Sequence, residues 1–167
     1  RSDRSRHPLG ITETKAIHYL DLAISLFGNP TAVDYQPRVI SGNGTAVDTS
    51  TLSLSFDDGK SANIFVSYAA PFRHTIELTG VNGYLIYDSG SIRLHSPRDT
   101  FSKHGRFESP PILSNYSYHE SGTDFHTESL WTAIDHFLEV CASSGSFPKS
   151  EMDSVYETTS VLLGLNV

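Results

Sequence analysis

Apolar residues recur at helical spacing near the start of the chain: Ile17, Leu20, Ile24 and Phe27 lie three or four apart, the period of one helix face. The pattern predicts a helix over 13–28. Gly28-Asn29-Pro30 stops it, because glycine suits the left-handed position past the last turn and proline cannot continue the ladder. The period then changes from about 3.6 to 2. A strand is predicted over 32–40, then a flexible turn at 41–45. Leu52, Leu54 and Phe56 alternate with Thr51, Ser53 and Ser55, as in a half-buried strand. Asp57-Asp58-Gly59-Lys60 turns the chain, and a strand over 61–68 returns with Ile64 and Val66 on one face. Further strands are predicted at 75–79, 84–87 and 91–95, separated by Val81-Asn82-Gly83 and Gly90. Connections this short require antiparallel neighbours, since parallel strands need long crossovers. Residues 97–115, rich in Pro, Ser and charge, predict an exposed excursion that ends in a strand around 112–118. The helical period returns over 124–143, with Leu130, Ile134, Phe137, Leu138 and Cys141 as its stripe, and over 149–163, with Met152, Val155, Tyr156 and Leu162. Helices at both ends around a block of hairpins predict an α+β fold: a mainly antiparallel sheet with helices packed on one face.

Composition narrows the class. The 167 residues fit a single domain with a real core. Residues 1–9 read as a frayed or remnant segment and 10–167 as one α+β domain. The chain opens without methionine or a strand and reads as the middle of something longer. A net charge of −7 disfavours nucleic-acid binding, which needs clustered cations against phosphates. Arg1, Arg4, Arg6 and His7 are too short a basic run to reverse that. Cys141 is the only cysteine, which excludes an intrachain disulfide and a cysteine-rich zinc site. Its helical apolar position predicts a core residue. No apolar run approaches the roughly 20 residues of a membrane span, and no signal-peptide pattern opens the chain. A soluble, cytoplasmic protein is expected.

Candidate chemistry gathers on the first helix. His18 and Asp21 stand three residues apart, one turn from each other, with Thr14 and Lys15 on the turn before. His18 lies next to the apolar stripe and is expected to be held rigidly. A histidine of this kind is read from the residues alone as filling a packing gap or contacting a backbone carbonyl, Asp21 as a partner for a hydroxyl or a basic side chain or as a solvated charge, and Lys15 as a contact for an acidic group or as a surface lysine. Histidines 74, 95, 104, 119, 126 and 136 lack the spacing of metal ligands, so no metal is expected. There is no Gly-x-Ser-x-Gly elbow. Gly42-Asn43-Gly44 lacks a third glycine and leads into strand-like sequence, so it is not a dinucleotide-binding turn. Tyr68, Phe72, Tyr84 and Tyr87 put aromatics along the strands, suited to core packing, to stacking on a ligand or to sealing an interface.

The order of these segments resembles the C-terminal domain of the glucose–fructose oxidoreductase, inositol dehydrogenase and rhizopine-catabolism family (Gfo/Idh/MocA). Members look like a Rossmann domain followed by an α/β domain with a mostly antiparallel sheet. The join is usually marked by Gly-Gly-x-Leu-x-Asp-x-Gly-x-His-x-x-Asp. Here the match runs through Gly10, His18 and Asp21, then 21–30 and the strand opening at 31–33. TLSLSFDDGKSANIFVS, IELTGVNGYLIYD and SLWTAIDHFLEVCASSGSFP are similar to the family's later hairpins and late helix. The resemblance covers about 10–163. It departs from the pattern at Thr14, where many members carry Asp, and at Ala16, where they carry Gly.

The resemblance implies a substrate-binding and oligomerisation domain of an NAD(P)-dependent enzyme acting on a sugar, sugar derivative or cyclitol. His18 would be the catalytic residue, taking a hydroxyl proton, with Thr14, Lys15 and Asp21 binding substrate. NAD or NADP would be held by a Rossmann domain outside this chain, and none is expected on the chain alone. The Glu-Lys-Pro segment that carries the family's catalytic lysine is also outside it. The open sheet face would join copies of the chain into a homo-oligomer. The alternative is a stand-alone, non-catalytic carbohydrate-binding or scaffold protein of the same descent.

Overall fold

The computed structural model describes residues 9–42, 44–96, 101–117, 125–143 and 149–165. Its elements run π turn Thr12–Ala16, α1 Ile17–Phe27, β1 Ala32–Arg38, β2 Thr49–Ser55, β3 Ser61–Ser67, β4 Thr75–Gly80, β5 Gly83–Asp88, β6 Ser91–His95, β7 Ile112–Ser117, α2 Phe125–Ser143 and α3 Lys149–Gly164. The expected α+β class holds, and among the described residues every strand pairing is antiparallel. The strands form two sheets rather than one, ordered β1-β2-β3 and β4-β5-β6-β7. The chain divides into two compact units, one of residues 1–72 and 136–167, the other of 73–135. The remnant segment expected at 1–9 lies outside the described residues except for Leu9.

In the first unit the alternation of β2 is read out directly. Ser50, Leu52, Leu54 and Phe56 are buried. Across the ladder Leu52 faces Ile64 and Tyr35, and Ser50 faces Val66. Ile11, Ala16, Leu20, Ala23 and Ile24 pack on this face, joined by Leu162 from α3. The rings of Phe27 and Phe56 meet edge to face at 5.3 Å. The opposite face carries Thr51, Ser53, Ser55 and an exposed Phe65. Helices therefore lie on one face of this sheet, as the hairpin pattern requires. Pro37 is tolerated in β1 because β1 is an edge strand and its missing N–H interrupts no interior ladder. Gly28, at φ 83°, ends α1 where the sequence places the stop.

The second unit holds a four-stranded meander with two unlike faces. Ile76 faces Tyr87 and Leu78 faces Leu85. Leu85 in turn faces Leu94, and Tyr87 faces Ile92. Ile92 faces Tyr116. These apolar side chains share one face, while Glu77, Arg93 and Asn115 lie on the other. Gly83 is required at its turn: φ is 145°, and a Cβ would meet the His95 carbonyl oxygen at 2.0 Å. Within the excursion, Phe101 and Phe107 form an isolated antiparallel bridge, their rings 6.1 Å apart.

Two expectations about the late helices need correction. The stripe of α2 is not core: Leu130, Ile134, Phe137 and Leu138 are exposed, whereas Val140 beside them is buried. Cys141, expected inside, is exposed. Periodicity identifies a stripe that favours cover but not the surface that supplies it, and Leu162 of α3 contributes to the core instead. Phe65 belongs to the three-stranded sheet and the pair Leu85 and Tyr87 to the four-stranded one. Among the described residues no helix is long and apolar enough to cross a membrane.

Candidate functional site

The first helix begins with a π turn. The Ile17 amide reaches back to the Thr12 carbonyl, an i to i−5 bond that widens the coil. Such turns are rare and often sit at functional sites. It is held on the sheet from two sides. Thr12, buried, shares a hydrogen bond with the Tyr35 hydroxyl at 3.0 Å. Thr14 donates to the Gly10 carbonyl at 2.8 Å, and its Oγ1 lies 3.1 Å from the Tyr68 hydroxyl. Gly10 is confined: a Cβ would meet Glu13 Oε2 at 3.0 Å and the Val47 carbonyl at 3.1 Å. Glu13 Oε2 is itself buried without a hydrogen-bond partner, as is Ser50 Oγ on the core face of β2.

The four residues singled out by the sequence share this helix. His18 is exposed rather than clasped by the apolar stripe: Ile17 and Leu20 turn inward beside it and leave the imidazole to solvent. Lys15 is also exposed. Thr14 is half-buried and lies one turn before His18 on the same side of the helix. Asp21, one turn beyond His18, accepts a 2.8 Å bond from the Thr158 hydroxyl, which ties α1 to α3. A carboxylate has further lone pairs, so this bond leaves Asp21 able to accept from a second donor.

Sequence reasoning passed over Asp48. It is buried at the head of β2. One carboxylate oxygen accepts from the Ile40 amide at 2.9 Å and the Thr49 hydroxyl at 3.1 Å, the other from the Ser41 amide at 2.9 Å and hydroxyl at 2.5 Å. Burial pushes this carboxyl up, but the Ser41 hydroxyl and the amides of Ile40 and Ser41 outweigh it and lower it to about 2. The Asp48 backbone extends both ladders: its amide donates to Arg38, and its carbonyl accepts from the Tyr68 amide at 2.7 Å. Asp48 thereby fixes the end of the sheet from which Tyr68 reaches Thr14. An aspartate directly before the alternating strand of 49–55, after a Ser-Gly turn, was the sequence signal for it.

Gly42 and Gly44 lie in the connection from β1 to β2, two antiparallel strands, and open no helix. A dinucleotide pyrophosphate needs amides at a helix start, so these residues do not fit that group. Among the described residues no cluster of three or more His, Cys, Asp or Glu is placed to hold a metal ion.

Residues 1–86 match the family model of the GFO/IDH/MocA C-terminal domain. No curated protein matches the chain. Among solved structures, the chain is similar to an oxidoreductase from Agrobacterium radiobacter in complex with NAD+, L-tartaric acid and magnesium. The two are 20% identical with a TM-score of 0.65, over 95% of this chain and 48% of that one. It is also similar to UDP-N-acetylglucosamine 3-dehydrogenase from Acidithiobacillus ferrooxidans, 18% identical with a TM-score of 0.52, over 76% of this chain and 36% of that one. The chain thus spans about half the length of the first of these proteins and less of the second.

Proposed function

This chain belongs to the GFO/IDH/MocA family through its C-terminal domain, and from that membership we propose that it is the substrate-binding and oligomerisation half of an NAD(P)-dependent oxidoreductase acting on a sugar, sugar derivative or cyclitol. The nicotinamide would be held by a nucleotide-binding domain outside these residues. The observation that carries the reading is the exposed His18 one turn beyond a hydrogen-bonded pair of hydroxyls, on a helix that opens with a π turn. The likeness to an NAD+-bound oxidoreductase and to a nucleotide-sugar dehydrogenase supports the cofactor and substrate class.

In this reading His18 is the proton acceptor. A secondary alcohol is a very weak acid, and an imidazole nitrogen within reach of its hydroxyl is suited to take the proton. Exposure leaves the ring reachable by a substrate arriving from solvent. Lys15 and Asp21 flank it one turn to either side, placed for a substrate's anionic and hydroxyl groups respectively. Thr14 contributes through its hydroxyl.

One observation favours the alternative, a non-catalytic carbohydrate-binding or scaffold protein of the same descent. Thr14, where the family resemblance implies Asp in many members, has its hydroxyl bonded to Gly10 and Tyr68, so no carboxylate orients His18 from that position. The experiment is His18→Ala in the protein that carries both halves. Turnover on polyols should fall by about two to four orders of magnitude, while nicotinamide affinity is unchanged. A loss of only a few-fold, with folding intact, would favour the alternative.

A further inference from the structure

We propose that Tyr68 is a substrate-binding residue whose phenolic oxygen accepts a hydrogen bond from a substrate hydroxyl adjacent to the one served by His18; this rests on the sugar or cyclitol reading above.

Thr14 Oγ1 contacts two oxygens, the Gly10 carbonyl at 2.8 Å and the Tyr68 hydroxyl at 3.1 Å. A carbonyl oxygen can only accept, so the single hydroxyl proton of Thr14 is committed to Gly10. Only one proton is then left for the second contact, and the phenol must supply it. Tyr68 donates to Thr14, Thr14 donates to Gly10, and the direction of the relay is fixed. The phenol has no second proton. Any further group that meets it must be a donor, and the lone pairs of its oxygen are what it has to offer.

Position makes that acceptor useful. The Tyr68 amide is bonded to the Asp48 carbonyl at 2.7 Å, and Asp48 is locked by four hydrogen bonds to its carboxylate. The ring is therefore carried on a fixed end of the sheet, yet it is 37% exposed. Its partner Thr14 lies four residues before His18, one turn earlier on the same side of the helix. A polyol lying along that turn can donate one hydroxyl to Tyr68 and give the proton of another to His18. A phenol poised as an acceptor also selects against carboxylates and phosphates at this point, because two acceptors repel.

The test uses the chain labelled with 13C at the tyrosine ζ carbon, titrated with myo-inositol, D-glucose and UDP-N-acetylglucosamine. The Tyr68 signal is identified by its loss in Tyr68→Phe. At least one probe should shift that signal, and Tyr68→Phe should weaken its binding about three- to tenfold, as for one neutral hydrogen bond. Thr14→Val removes the group that orients the phenol proton. It should weaken binding similarly, and the double variant should add little. A Tyr68 signal unmoved by every probe at millimolar concentration would overturn the inference, as would wild-type affinity in Tyr68→Phe. Unfolding midpoints in urea separate a folding defect from a binding defect. Binding at Tyr68 with no turnover in the protein that carries both halves would sink the dehydrogenase reading and leave this inference standing. Turnover that depends on His18, beside a silent Tyr68, would do the reverse.

Discussion

Asp48 shows how much one side chain can decide. Its carboxylate is buried and accepts from two amides and two hydroxyls. Asp48→Asn puts an amide N–H where a donor already points, and should cost about 1–3 kcal/mol at neutral pH. The pH dependence follows from linkage. The folded carboxyl titrates at about 2, below its ordinary value of 3.8, so the unfolded state binds the proton more readily. The stabilisation is fully present above pH 4 or so and is lost as pH falls toward 2. Urea unfolding should therefore show wild type and Asp48→Asn converging between those values. A gap that stays constant through that range would assign the loss to shape rather than charge.

At the scale of elements, the bond from Thr158 to Asp21 joins α3 to α1 across 137 residues of sequence. Thr158 is buried, so Thr158→Val should preserve shape, remove the donor and lower stability by about 1 kcal/mol, with no change in KM. Asp21→Asn keeps an acceptor toward Thr158. If Asp21 also holds substrate, this variant should raise KM with the urea midpoint nearly unchanged. If both variants move the midpoint alone, Asp21 is a clamp between helices and not a binding residue. The same clamp accounts for which late helix joins the core. Leu162 of α3 is buried among α1 and β2 side chains, whereas the α2 stripe stays exposed.

For the whole molecule, the four-stranded sheet presents an apolar face whose members include Leu78 and Leu94, each 37% exposed. A contiguous apolar patch of a few hundred Å2 marks an interaction surface. We expect copies of the protein to associate through it. Light scattering should give a species larger than one chain at tens of micromolar protein, and Leu94→Lys should shift it toward the monomer. A wild-type monomer under those conditions would set the oligomerisation reading aside. Isothermal titration of the chain alone with NAD+ or NADP is expected to give no binding, since Gly42 and Gly44 lie between two antiparallel strands and open no helix.

Much of this architecture is local in origin and was legible from the chain alone. The alternation Leu52, Leu54, Phe56 dictates a half-buried strand, and Gly28 before Pro30 dictates a helix stop; both rest on period and backbone sterics, which act over a few residues. The turn at Asp57 to Lys60 was legible for the same reason, with Asp58 and Gly59 at positive φ. The helix bearing Thr14, Lys15, His18 and Asp21 was equally readable, and so was the family. What needed tertiary structure were the facts that depend on distant partners. The π turn forms where Thr12 and Thr14 meet Tyr35 and Tyr68, 23 and 54 residues away. The burial of Asp48 depends on the chain folding back over it from Ile40 and Ser41. The split into two sheets, and the exposure of the α2 stripe and Cys141, were settled by which surfaces found each other. Amphipathicity says that a face seeks cover; only packing says which face it meets.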